Sequence, residues 1–303
     1  LLKFATIGFF QGAVYGLLAV GLVLVYKGTR VFNFAQGEFG TVAAFITYAL
    51  FRNAGLNYLL AVILALVCTV LLGLIMERLV IRPLLDAPRL TLIVATVGVA
   101  LLLIAVELLV NQAEPRQLDP AWPDPTTAAG RPRPIDIFGV SIQRQQILIV
   151  LVLGGLAVAL WYFFTRTNRG LSILAISQDQ MATRVVGISV PATSRLIWGM
   201  AALLGGIAGI LQAPVAGFFT PGFMTALPGS ASLVPAFAAA VLGGFTSLPG
   251  AFIGGLLIGI AQNLGVYWIG LKGGVVGSQE LTVFAVLLLA LLIRPQGLFG
   301  KEA

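Results

Sequence analysis

Six runs of roughly twenty apolar residues dominate this chain, at 4–26, 56–76, 90–111, 145–164, 195–216 and 249–270. Each is long enough to cross a bilayer core as a helix. Three further segments are less regular. Residues 31–51 carry a polar cluster, 232–247 is short and ends near Pro249, and 275–293 holds an apolar stretch, Leu281 to Ile293, that is short for a span. The expected fold is an all-α polytopic transmembrane helical bundle forming a single transmembrane domain over 1–303. It should have about eight or nine membrane segments, re-entrant or broken helices among them, with an inverted repeat left open.

Composition agrees. Only 10% of residues are charged, against about 25% in soluble domains, and mean hydropathy is +1.02. The 36 glycines suit helices that pack closely on small residues. With no histidine and Cys68 as the only cysteine, neither a zinc nor a haem site is expected. The first run, Phe4 to Tyr26, reads as a span rather than a cleaved signal peptide, since no convincing cleavage site follows it.

The charge of +7 does not call for nucleic acid, because it follows from where the cations stand. With the loop after 145–164 taken as cytoplasmic, eleven of the 18 basic residues fall inside: Lys27, Arg30, Arg78, Arg82, Arg89, Arg166, Arg169, Arg184, Arg195, Arg294 and Lys301. This asymmetry predicts an outside N terminus and a cytoplasmic C terminus. The long outer loop 112–144 holds Pro115, Pro120, Pro123, Pro125, Pro132 and Pro134, a density that disfavours helix and strand. It reads either as an exposed connector or as a docking surface for an external partner.

Arg30 to Phe39, RVFNFAQGEF, places Asn33, Gln36 and Glu38 in a stretch that otherwise reads as membrane-embedded. Ionisable groups at such depth usually face a bundle interior or a watery cavity. The residues either line a translocation path or its gate, or cap a helix start at the cytoplasmic interface, where the macrodipole favours Glu38. In Phe237 to Gly259, Gly243, Gly244 and Gly250 permit close backbone approach, and Ser247, Pro249 and Gly250 mark a turn or helix break. Such a break is tolerated at depth only where protein or a cavity receives the freed backbone groups. Gly243, Gly244, Pro249 and Gly250 are therefore the second set of path or gate candidates, with plain packing as the alternative. Residues 31–51 and 232–255 are both Gly-interrupted, one in each half, as expected of repeats around a midplane site. Glu107 lies about a turn from the outer end of its helix, where snorkelling accounts for it, and no proton coupling is assigned to it.

The inside loop 169–188 has helical periodicity. Asp179, Gln180, Thr183 and Arg184 share one face; Leu174, Met181, Ala182, Val185 and Val186 share the opposite one; Ile173 and Ile176 intrude on the polar side. Gly187 is a plausible stop. Such a helix either lies in the lipid interface or inserts into another protein. No G-x-x-x-x-G-K-[ST] loop occurs, so ATP binding is not expected of this chain.

Together, RVFNFAQGEF, SQDQMATRVVGI from Ser177, AAVLGGFTSLPGAFIGG from Ala239 and IRPQGLFG from Ile293 resemble the permease family of branched-chain amino acid ABC importers, the LivH type, over nearly the whole chain. Two positions depart: the family often has a histidine where Gln36 stands, and an alanine pair where Ala182 and Thr183 stand. The resemblance implies that 169–188 is a coupling helix fitting a cleft on an ATPase subunit, with Gln178, Asp179, Ala182, Arg184 and Gly187 as its contact residues. It also implies a second homologous permease subunit, two cytoplasmic ATPase subunits that bind the ATP, and an external solute-binding protein. The expected function is import of branched-chain or related amino acids across a bacterial cytoplasmic membrane, without covalent chemistry. A urea or short-amide permease of the same family is the alternative. A self-contained channel or ion-coupled carrier would need more intramembrane acids than Glu38 and Glu107.

Overall fold

The apolar runs are helices in a computed structural model, which describes residues 1–85, 87–126, 134–137, 140–178, 180–185, 187–225, 232–294 and 296–300. In chain order these are α1 (Leu2–Thr29), α2 (Gln36–Tyr48, continued by a wider turn over Ala49–Asn53), α3 (Tyr58–Met76, continued to Leu84) and α4 (Arg89–Asn111). Then follow α5 (Arg144–Arg166), α6 (Asn168–Gln178), α7 (Gln180–Val185), α8 (Val190–Ala216), α9 (Leu233–Gly243), α10 (Leu248–Gly265, continued to Leu271) and α11 (Ser278–Ile293). Among the described residues six helices are long and apolar enough to cross a membrane, and α9 and α11 are shorter apolar helices. The chain is a polytopic helical membrane protein.

Burial sorts these helices. α1 is apolar on all sides, and most of α1 and of α8 is buried, 83% and 78% of their spanning stretches. A helix of that kind belongs at the centre of a bundle. In α4 and α5 only 17% is buried, so their outer faces are left for lipid or for another subunit.

Glycine sets the central contacts. Gly8, Gly12 and Gly16 recur every four residues on α1 and lie against Gly259, Gly255 and Phe252 of α10, in reverse order, so the two helices are antiparallel. A side chain at Gly12 would collide with the backbone of Gly255 and Leu256. Gly40 of α2 meets Gly205 and Gly209 of α8 in the same manner, with the two helices running in the same direction. Close approach of this kind replaces the hydrophobic drive that lipid cannot supply.

Two crossings are interrupted. Residues 30–35 are not helical, and α2 starts only at Gln36, whose side chain lies against Gly21 well inside α1. Beyond α8, Phe219 pairs with Arg116 of the proline-rich loop through both backbone bonds (2.8 and 2.9 Å). The chain then turns inward until Thr225 and Met224 lie against Gly37. α9 starts there, with the N–H groups of Ser232 and Leu233 donating to the Met224 carbonyl. The starts of α2 and α9 therefore come together inside the bundle.

α9 stops at Gly243, Gly244 takes φ +89°, and Ser247 caps α10 by accepting from the Gly250 N–H (3.0 Å). The carbonyls released by this break are not left bare. Leu298 and Phe299 donate their backbone N–H groups to Leu242 and Gly243 (2.7 and 3.3 Å). The C-terminal motif thus acts as a splint on the break, which meets the demand that backbone at depth be satisfied by protein.

The proline-rich loop 112–144 needs one correction. Its far end forms a small antiparallel hairpin, β1 (Ile135–Ile137) with β2 (Val140–Ile142). The strands begin after Pro134, the last of the six prolines, so no missing N–H interrupts the ladder. The near end is fastened by Arg116–Phe219 and by an Arg52–Asp119 ion pair at 2.7 Å.

Candidate functional site

The site starts from the turn after α1. Arg30 takes φ +56°, unusual for a residue with a side chain, and its N–H closes α1 on the Tyr26 carbonyl (2.8 Å). The chain can then re-enter the bundle. Its polar backbone is met by Thr96 of α4, whose hydroxyl accepts from the Phe34 N–H (3.3 Å) and reaches the Phe32 carbonyl (3.2 Å).

Asn33, Gln36 and Glu38 are all fully buried. Asn33 folds its side chain back so that Oδ1 accepts from the Ala35 N–H (3.1 Å) and Nδ2 donates to Gln36 Oε1 (3.1 Å). Gln36 Nε2 donates in turn to the Ala201 carbonyl of α8 (2.9 Å). This knot organises the start of α2, and it does so inside the bundle rather than at a water interface. Gly21 and Gly205 leave the room that the Gln36 amide fills.

Glu38, in the first turn of α2, faces another group. Around its carboxyl stand the hydroxyls of Thr225 and Thr41 and the carboxyl of Glu107. Glu107 is only 5% exposed, and its Oε2 accepts from the Gly222 N–H (3.0 Å). The expectation that Glu107 snorkels to the outer interface is therefore wrong. A sequence signal was available: Thr96 and Glu107 are eleven residues apart and so share one helical face, the face on which Leu92, Thr96, Ala100 and Glu107 are buried. A carboxyl on the face that carries Thr96 points into the protein, whatever its distance from the helix end.

The second candidate set lies at the α9–α10 break. Gly243 and Gly250 touch backbone to backbone, Gly244 lies against Gln296 and Gly300, and Pro249 sits exposed in the first turn of α10. Aromatic rings join the two sets. Phe32 packs on Phe237 and Phe245 (5.5 and 5.0 Å between centroids), and Phe34 stacks on Phe237 (6.0 Å). Beside the break, Lys27 Nζ donates to the Thr246 carbonyl (3.1 Å) and borders a cavity of about 490 Å³ lined by Trp161, Leu174, Leu248 and Pro249.

The 169–188 segment is helical over α6 and α7; Asp179 lies outside the described residues. Ile173, Ile176 and Thr183 are buried against the bundle, while Gln178, Ala182, Val185 and Gly187 are exposed. The inward side is thus the one that periodicity marks as polar with two isoleucines intruding, and part of the apolar side faces out. Arg184 lies in α7. Gly187 takes φ +83°. Arg30 Nη2 donates to the Ser177 carbonyl (2.8 Å), so the end of α6 is tied directly to the turn that leads to the buried Asn33–Gln36 knot.

A family model described as "Branched-chain amino acid transport system / permease component" matches residues 4–293. The chain is 30% identical to the high-affinity branched-chain amino acid transport system permease protein BraD of Pseudomonas aeruginosa, over 97% of this chain and 94% of that one. It is 29% identical to the corresponding LivH of Escherichia coli, over 96% and 92%. A probable branched-chain amino acid transport permease protein LivH of Methanocaldococcus jannaschii is 27% identical, over 94% and 88%.

Proposed function

The chain belongs to the branched-chain amino acid transport permease family, and from that premise we propose that it is the membrane subunit of an ABC importer for branched-chain or related amino acids. It would work with a second permease subunit, two cytoplasmic ATPase subunits and an external solute-binding protein, in a bacterial cytoplasmic membrane. The observation that carries this reading is the Arg30–Ser177 tie at 2.8 Å. α6–α7 presents an exposed side that an ATPase cleft could cover. A push on it would pass through Ser177 to Arg30, and from Arg30 through five residues to the start of α2. Path candidates and coupling candidates are then two ends of one lever.

The test is reconstitution with the cognate ATPases and binding protein. Hydrolysis should rise several-fold when the binding protein is loaded with leucine, isoleucine or valine. Stimulation by urea or a short amide instead would move the chain to the alternative substrate class, and ATP-independent uptake by the chain alone would end the importer reading.

Orientation follows from the same proposal: N terminus outside, C terminus and 169–188 inside. In a Cys68→Ala background, Gln178→Cys should react with a membrane-impermeant maleimide only after cells are opened. Labelling on intact cells would reverse the assignment.

A further inference from the structure

Glu38 and Glu107 are the least comfortable pair in the interior. Five buried oxygens gather there without a well-formed hydrogen bond: both of Glu38, Oε1 of Glu107, and the hydroxyls of Thr41 and Thr225. The sixth, Glu107 Oε2, accepts from the Gly222 N–H. Among the described residues, the groups acting on the two carboxyls come from α2 (Glu38, Thr41), from α4 (Glu107) and from 217–225 (Gly222, Thr225), with no lysine or arginine among them. Residues 226–231, ALPGSA, carry no charge either.

Two bare carboxylates cannot rest together in such a place. Each would lose its hydration, and the two would repel at low dielectric. One bound proton resolves both problems. The O–H of one carboxyl donates to the other, the threonine hydroxyls donate to the remaining lone pairs, and the charge left over sits in the first turn of α2 and beside the Gly222 N–H. We propose that Glu38 and Glu107 form a proton-binding site: one proton held between them latches the start of α2 to α4 and to the 217–225 segment. Opening a path at the start of α2 separates the pair, so opening is linked to that proton, and alkaline conditions favour the parted arrangement. The link to transport rests on the permease reading above; the bound proton does not.

The chain, purified as its full complex, is examined by infrared spectroscopy in H₂O and D₂O at neutral pH. A carbonyl stretch of a protonated carboxylic acid should be present, shift in D₂O, and vanish in Glu38→Gln and in Glu107→Gln. Each exchange supplies the pair's hydrogen bond from an amide, so folding should survive. Glu77→Gln, at another acid fully buried among the described residues and also without partners, should keep the component that the two pair variants lose. In the reconstituted complex, solute-stimulated hydrolysis should change several-fold between neutral and alkaline pH in the wild type and stay flat in either single variant. No such band in the wild type, or a band that persists in both variants, overturns the proposal. A sodium ion bound by the wild type and lost in the variants, with no band, overturns it in favour of an alkali-ion site. Should no ATPase be stimulated by any solute, the permease reading fails while the infrared result still decides the proton.

Discussion

Ala182→Arg is expected to abolish solute-stimulated ATP hydrolysis while leaving the permease inserted and folded. Ala182 is exposed on α7, three residues before Val185, which is 84% exposed. A small residue beside an uncovered apolar one suits a tight contact, and an arginine there would bring both volume and a charge without a partner. Burying an unpaired charge at a packed contact costs about 3 kcal/mol or more, roughly a hundredfold in affinity. The change lies outside the spans, so insertion should not suffer. Gly187→Pro should have a similar effect for a different reason. Gly187 takes φ +83°, which proline cannot adopt, so the return from α7 to α8 would be redirected. The decisive measurements are ATPase retained on the purified complex and hydrolysis with loaded binding protein. A helix that merely rests on lipid would tolerate Ala182→Arg, because arginine snorkels along a membrane surface. Full retention with full stimulation would therefore remove the ATPase contact from this position.

The second large effect is expected at the centre of the bundle. Gly12→Leu should prevent the chain from reaching a stable folded state. The α1–α10 contact has no slack at this point, since even a methyl group at Gly12 meets the Gly255 carbonyl and the Leu256 backbone. Overpacking a well-formed core costs about 1–3 kcal/mol when side chains can yield. Backbone cannot yield in that way, so two central helices would have to separate along their length. Extraction in mild detergent followed by size-exclusion and thermal unfolding should show a large loss of monodisperse protein. The same exchange at Gly98 on α4, where nothing lies within contact, should leave yield and melting unchanged. Equal behaviour of the two variants would mean that the α1–α10 approach is not what holds the centre.

The spans were legible because hydropathy is a property of single segments. The run 90–111 became Arg89–Asn111, and 145–164 became Arg144–Arg166. What joins segments was less legible. Gln36 is plainly polar in the sequence, but its partner is a carbonyl of α8, 165 positions away, and no local pattern names a carbonyl. Glu107 was visible and misjudged, because distance to a helix end was weighed and helical face was not. The four-residue repeat of Gly8, Gly12 and Gly16 was present too, but a bare glycine count conceals spacing. Ile173 and Ile176 looked like intruders on a polar face until the bundle supplied the surface that they cover.

The splint of Leu298 and Phe299 on the α9–α10 break imposes an order on biogenesis. The carbonyls of Leu242 and Gly243 enter the membrane with α9, but their donors follow α11 and leave the ribosome only after that helix has been made. Lys27 and Ser247 can hold the rest of the turn before then, but these two carbonyls lack their final donors until Leu298 and Phe299 arrive. Maturation of this chain therefore ends far from where it begins. A nascent protein halted before Leu298 would hold most of its spans and still be recognisable to quality control as unfinished, by two bare carbonyls at one turn.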